Sequence, residues 1–452
     1  MFAPQKGAGN YMVAHPTMRT GYFSRAGQVE CMVRIYRFAG VRPDPPVASV
    51  IAAVPYDVVT ADEVRAITAK NPGTFLRVSR SDAELPGLAP DDARVYQRAR
   101  DNFIALESDG RMKKDLTPGM YLYRVLQYGE TFLGLCCCLD VDDYRKNNIR
   151  RHEQTRYDKE EDRTRHIEAV GAHNGPVVLL YRNTEGIYSF IESLVNLSPE
   201  PDGEVTSDTG IIHQIFRITD KNILDRLEGH FSSVAALYIA DGHHRAKAAL
   251  NVVDRRIAAG KPAEGEVTRF MGVMFAHDLV KIHGYSRLLT DLGTYTPETF
   301  MNRLKDCFDV KKYGSVDGSG YNILPSILHP EKFHVFHLYL SGHWYECTRL
   351  VEVNASSLNT LDVAILQKEV FETMFGITDP RGDARLQYLG GARPVSDLEN
   401  LVDSGKYRIA FAMQPVRVDT VLSIADAHGV MPPKSTWFEP KLLSGLIVHT
   451  FE

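Results

Sequence analysis

The stretch Tyr238-Ile-Ala-Asp-Gly-His-His-Arg-Ala-Lys-Ala-Ala-Leu250 restricts the fold of this chain more than any other. An apolar run from Val234 to Ala240 stops at Asp241-Gly242. Beyond it Ala246, Ala249, Leu250, Val253 and Ile257 recur at the spacing of one α-helical face. The pattern predicts a buried strand, a tight turn and a helix. Gly242 lacks a Cβ, so the backbone can turn sharply there and bring its amide close to a ligand. The first turn of such a helix presents N–H groups and a partial positive charge, and Arg245 adds a fork of donors, so an anion is favoured. Asp241, beside that position, suits a metal or a substrate hydroxyl better than a phosphate. The plainer alternative is an ordinary strand–helix junction opened by His243 and His244, since the stretch is not a full glycine-rich fingerprint.

The 452 residues predict about two to three domains. With 44% hydrophobic and 24% charged residues the composition is that of a globular protein. A net charge of −5 argues against a dedicated duplex-DNA binder. No apolar run approaches the roughly 18 residues of a membrane helix, and the N-terminus lacks the pattern of a secretory signal. The six cysteines form neither a disulfide framework nor a zinc pattern; Cys136, Cys137 and Cys138 read as small hydrophobes in a buried strand rather than as redox or metal groups. These features predict a cytoplasmic protein with no nucleic-acid or membrane partner; the oligomeric state is not legible.

Residues 1–31 are rich in Gly, Pro and polar residues and read as a disordered extension, or as a consequence of start-codon choice with Met32 as the first residue. The remainder divides into an N-terminal α/β region (32–140), a core carrying the strand–turn–helix unit (141–275) and a C-terminal α+β region (276–452). The fold class expected is α/β to α+β. Ser49–Val59 reads as a strand broken by Pro55, and Thr60 with Glu63 as a capping box opening a helix to about Lys70. Thr74–Ser79 reads as a short strand, Gly119–Asp140 as a hairpin around Tyr128-Gly129-Glu130, and Val177–Tyr181 as a buried strand.

Two further stretches carry chemistry. Arg150–His166 is the densest charge cluster and reads most simply as a solvated helix laced with pairs such as Glu160 and Arg163. Glu153 fits that reading least well: a carboxylate set among Arg150, Arg151 and Arg156 is expected to stay ionised and to act as a base near an anionic substrate. The Pro-braced tail Met431–Gly445 carries Lys434, Ser435, Thr436 and Lys441, two cations flanking two hydroxyls, which would suit a lid over a phosphate or a small zwitterion. A packed C-terminal loop is the plainer reading.

Taken together, these stretches resemble one family. Asp241-Gly-His-His-Arg245 is similar to the phosphate-site motif of the ParB/sulfiredoxin-like superfamily, in particular its free-serine kinase branch. That branch pairs it with an upstream His-Glu-Gln, present here as His152-Glu153-Gln154, and a C-terminal Pro-Lys-hydroxyl-hydroxyl element, present as Pro433-Lys434-Ser435-Thr436. From about Val33 to Gly445 the chain is also similar to a large bacterial family long catalogued as a domain of unknown function, whose hallmarks include Pro55-Tyr56-Asp57 and Arg163. The resemblance implies a ParB/sulfiredoxin-like core with a mixed sheet and a kinase that phosphorylates free L-serine to O-phospho-L-serine, with ATP or ADP as donor and Mg²⁺. It implies Glu153 as general base, with Asp241 near the transferred group. Gly242, His243, His244 and Arg245 would hold nucleotide phosphates, and His152, Arg163, Lys434, Ser435 and Thr436 would bind the substrate. No metal ligand is assigned. The tail departs from the branch, which continues with Arg-His where this chain has Trp437-Phe438; Lys434, Lys441 or Arg163 would have to supply the missing charge.

Three other readings compete. A ParB-type nucleotide-binding regulator would be expected to carry a helix-turn-helix and a basic surface, and neither is visible. Sulfiredoxin-like chemistry needs a cysteine where His243 stands. A metal hydrolase would need His243 and His244 to chelate one ion, which adjacent residues at a helix start seldom do.

Overall fold

The computed structural model describes residues 33–183, 186–314, 323–391 and 393–452. The extension expected over residues 1–31 lies outside them. The described chain is a mixed α/β structure built on a large mixed sheet with helices packed against it. Along that nine-stranded sheet the order is Ile149–Arg150, Leu237–Asp241, Val177–Tyr181, Arg269–Ala276, Glu130–Asp140, Met120–Gln127, Ile212–Ile218 and Gly203–Thr206, with Ile35–Tyr36 added against Glu130–Asp140. Leu237–Asp241 runs parallel to Ile149–Arg150, and Val177–Tyr181 parallel to Arg269–Ala276; the other pairings are antiparallel. A second, six-stranded sheet is antiparallel throughout and includes Phe333–Leu340 and His343–Leu350.

Central strands of the large sheet are largely apolar because both faces are covered. Val177–Tyr181 is buried from end to end. In Glu130–Asp140 successive side chains enter different cores: Cys136 and Cys138 pack with Tyr121 and Tyr123, whereas Cys137 packs with Leu135 and Leu139 on the other face. The hairpin forms as expected, with Tyr128 and Gly129 at φ 52° and 78°, the two positive values of a type I′ turn.

The capping box at Thr60 is also present. Its hydroxyl accepts from the Glu63 amide at 3.3 Å, and the Glu63 carboxylate accepts from the Thr60 amide at 2.7 Å. Thr60→Ala is expected to cost about 1 kcal/mol, read as a lower denaturant midpoint at unchanged m-value.

Two strand expectations are corrected. Ser49–Val59 holds no strand; Ala48–Ile51 is one helical turn and the chain beyond it is irregular. Pro55 cannot donate to a ladder, and Val50, Val54 and Val58 are exposed. Thr74–Ser79 becomes a helical turn over Leu76–Ser79, which packs beside the helix Ala93–Ser108. A short apolar run has no period long enough to separate the two forms. Among the described residues no helix is long and apolar enough to cross a membrane.

Candidate functional site

The candidate site lies where the strand Leu237–Asp241 passes through Gly242 into the helix His243–Ala258. Gly242 takes φ 96°, a left-handed conformation open to glycine, and as N-cap residue it brings no side chain to the helix amides. Ala246, Ala249, Leu250 and Val253 bury their face against the sheet, while Ile257, expected on that face, is exposed. The Arg245 side chain folds back beneath the turn: a Cβ at Gly242 would sit 3.0 Å from its Nε. The guanidinium donates through Nη2 to Asp241 Oδ2 at 2.6 Å and through Nη1 to the Pro176 carbonyl. Lys441 Nζ donates to the other Asp241 oxygen at 3.2 Å. Burial alone would push the Asp241 carboxyl up, but Lys441 and Arg245 outweigh it and hold it far below the usual carboxylate range.

Parallel pairing of Ile149 with Leu237 and Arg150 with Tyr238 directs the following residues along the end of the strand Leu237–Asp241. His152 is thereby buried edge-to-face against His243, with ring centres 4.6 Å apart at 89°. Its carbonyl accepts from the Met431 amide at 2.8 Å, and its Nε2 lies 3.5 Å from Thr436 Oγ1, so the tail is fastened to this segment. Burial pushes His152 down to about 4, and burial with His152 beside it pushes His243 well below its ordinary value; both rings are neutral at pH 7.

Glu153 Oε2 stands 3.9 Å from His243 Nδ1. Burial pushes this carboxyl up to about 7; Lys434 and Lys441 oppose the rise and Asp241 adds to it. The expectation that Glu153 stays ionised among arginines is therefore corrected. Arg150 pairs with Asp426, Arg151 lies on the Tyr144 ring and Arg156 pairs with Asp158 at 2.9 Å, so their charges are spent elsewhere.

The remaining predicted residues divide by what their polar groups already hold. His244 Nε2 accepts from the Arg156 amide at 3.1 Å. Lys434, at φ 57°, sends its ammonium over the Tyr285 ring at 5.4 Å and faces Glu153 electrostatically. Lys441 lies 4.6 Å over Trp437. Ser435 is buried and donates to the Pro432 carbonyl at 2.6 Å. Arg163 gives its donors to Asp162 at 2.7 Å and the Ser79 carbonyl at 3.4 Å, and stacks 4.3 Å over Tyr56. No role for Pro55-Tyr56-Asp57 follows from the sequence alone. The structure places Tyr56 against Arg163, and the Asp57 carboxylate acts on His244, Arg245 and Lys434. The signal was the motif itself, since no local pattern assigns a loop acid to a cleft.

A family model described as a protein of unknown function (DUF1015) matches residues 35–364. The comparison with curated proteins gives no match. Among solved structures, the chain is similar to a free serine kinase in complex with AMP at 14% identity, covering 67% of this chain and 86% of that one, with a TM-score of 0.33. It is also similar to a conserved hypothetical protein from Pyrococcus furiosus (13% identity, 67% and 90% covered, TM-score 0.31). A third is C-terminally truncated SbnI from Staphylococcus aureus (9% identity, 68% and 85% covered, TM-score 0.33).

Proposed function

The chain belongs to the DUF1015 family, and for this member we propose a kinase that moves a phosphoryl group from ATP or ADP to the hydroxyl of free L-serine, or of a similar small hydroxy amino acid. The observation that carries the reading is the approach of Glu153 to His243 at the start of a helix whose N-cap residue is Gly242, within the field of Lys434 and Lys441. Phosphoryl transfer needs mainly positioning and charge neutralisation, with one group to align and deprotonate the nucleophile. In this reading the strand–turn–helix unit is the heart of a ParB/sulfiredoxin-like core.

Glu153 takes the proton from the acceptor hydroxyl. The Gly242, His243 and His244 amides receive the nucleotide phosphates. Arg245 holds Asp241 in place and reaches a phosphate only by leaving it. Lys434 neutralises the group in transfer, and Lys441, which like Arg245 must first leave Asp241, stands in for the cation lost where Trp437-Phe438 replaces Arg-His. Thr436 is the better placed of the two tail hydroxyls, because Ser435 must release the Pro432 carbonyl before it can donate to a phosphate. His152, neutral and buried, orients Thr436, and Arg163 backs the wall through Tyr56. Asp241 does not fit as a Mg²⁺ ligand in this arrangement, because a cation occupies each of its oxygens. Mg²⁺ therefore enters with the nucleotide phosphates, and no step depends on a protein ligand to it.

The test is incubation of the purified chain with L-serine, Mg²⁺ and ATP or ADP, with O-phospho-L-serine read by NMR or mass spectrometry. Absence of product with either donor across a panel of amino acids overturns the kinase reading. Nucleotide binding without product would point instead to a ParB-like nucleotide-binding regulatory protein. The acceptor-dependent rate is expected to climb about tenfold per pH unit below about 7 and to level above it, because a base must be deprotonated to act.

A further inference from the structure

We propose that Cys138, Glu266 and His449 form a Zn²⁺ site that ties the C-terminal segment to the large sheet. Their ligand atoms all lie within 4.8 Å of one another. The three come from distant parts of the chain: Cys138 from the strand Glu130–Asp140, Glu266 from the turn Gly265–Thr268 and His449 from the short strand His449–Thr450. Cys138 pairs across the sheet with Met271, two residues beyond Arg269, so the thiol and the Glu266 turn meet at one end of neighbouring strands.

The donors are oriented before any ion arrives. Arg269 Nη1 holds Glu266 Oε1 at 2.8 Å and leaves Oε2 facing His449 Nε2 at 2.8 Å. The His449 imidazole is clamped between His173, stacked at 5.6 Å and 6°, and Phe38, edge-on at 5.5 Å and 83°. Among the described residues its Nδ1 has no hydrogen-bond partner, and its Nε2 holds the Glu266 contact that an ion would replace. Thiolate, imidazole and carboxylate form a donor set that suits Zn²⁺ and excludes hard cations such as Mg²⁺. One thiolate and one carboxylate also balance the two charges of the ion, which makes its burial affordable.

Binding forms the sulfur–zinc bond and releases the Cys138 thiol proton to solvent, with no change of oxidation state. Water takes the fourth position. Cys138 and His449 are 0% and 1% exposed, so the ion would meet solvent only past the half-exposed Glu266, and its proposed work is to fasten the segment. The segment it would fasten continues from the one carrying Lys434 and Lys441, and so it would brace the tail that reaches Asp241 and His152.

The full chain, stripped with chelator, is to be loaded with Zn²⁺ and, in parallel, with Co²⁺. Expected are about one zinc per chain, a raised melting temperature, and a thiolate-to-cobalt charge-transfer band in the near ultraviolet. Cys138→Ser should remove the band, and Cys137→Ser, on the opposite face, should keep it. Glu266→Gln, whose side chain is 41% exposed and leaves the core untouched, should lower zinc affinity by roughly ten- to a hundredfold. Failure to retain zinc, a cobalt band that survives Cys138→Ser, or unchanged affinity in Glu266→Gln each overturns the site.

Discussion

Glu153→Gln is expected to lower the phosphotransfer rate by about 10²- to 10⁴-fold while nucleotide affinity stays unchanged, because the lost group acts on the acceptor hydroxyl alone. The substitution keeps the shape of the side chain and its contact with His243, so the loss isolates proton transfer. It also makes an opposite prediction for stability. Burial pushes the folded-state carboxyl up to about 7, above the value of about 4.3 for an unfolded Glu. A raised carboxyl destabilises the folded state as pH rises through the interval between those values, and the penalty is complete above it. Glu153→Gln should therefore melt above the wild type at pH 8, with the difference gone below pH 4. Calorimetry at both pH values, beside product assays, checks the pair. A variant with full rate removes Glu153 from the chemistry, and one with no thermal gain at pH 8 removes the raised carboxyl.

Asp241→Ala should be the most destabilising change at the site. It leaves Arg245, whose side chain is only 12% exposed, and Lys441 side by side with no counter-charge between them. Removing one partner of a buried pair costs about 3 kcal/mol or somewhat more, chiefly from stranding the other charge. Urea unfolding measures the loss, and Asp241→Asn separates charge from volume. The double variant Asp241→Ala with Arg245→Ala should lose less than the sum of the singles, since the second change removes the stranded cation. The pH dependence has the opposite sign to that of Glu153. The Asp241 carboxyl is depressed in the folded state, so its contribution is present above about pH 4 and lost as pH falls. A stability difference between wild type and Asp241→Asn that persists undiminished at pH 2 would contradict the pairing.

The elements that hold the candidate site were largely legible because each is written in a short span. Gly242 at the end of an apolar run, with Ala246, Ala249, Leu250 and Val253 spaced as a helical face, specifies the strand, the turn and the helix locally. The Thr60–Glu63 box and the Tyr128-Gly129 turn are equally local. Thr74–Ser79 reads as a strand but folds as a helical turn, because six residues fit either period and packing beside Ala93–Ser108 decides between them.

The state of each charge was not written locally. Glu153 stands among arginines in sequence, yet those arginines bind Asp426, Tyr144 and Asp158, while the cations that face it arrive from the tail, at Lys434 and Lys441. Asp57, 184 residues before Asp241, comes to bear on the same helix start. Hydrophobic period and turn chemistry depend on neighbours a few residues apart, so the chain alone determined most of its strands and helices and the strand–turn–helix unit at Gly242. Desolvation and Coulomb attraction depend on which distant segments are folded against one another, so only the tertiary structure decided that Glu153 is a raised acid, that Asp241 is clamped, and that Cys138 faces His449.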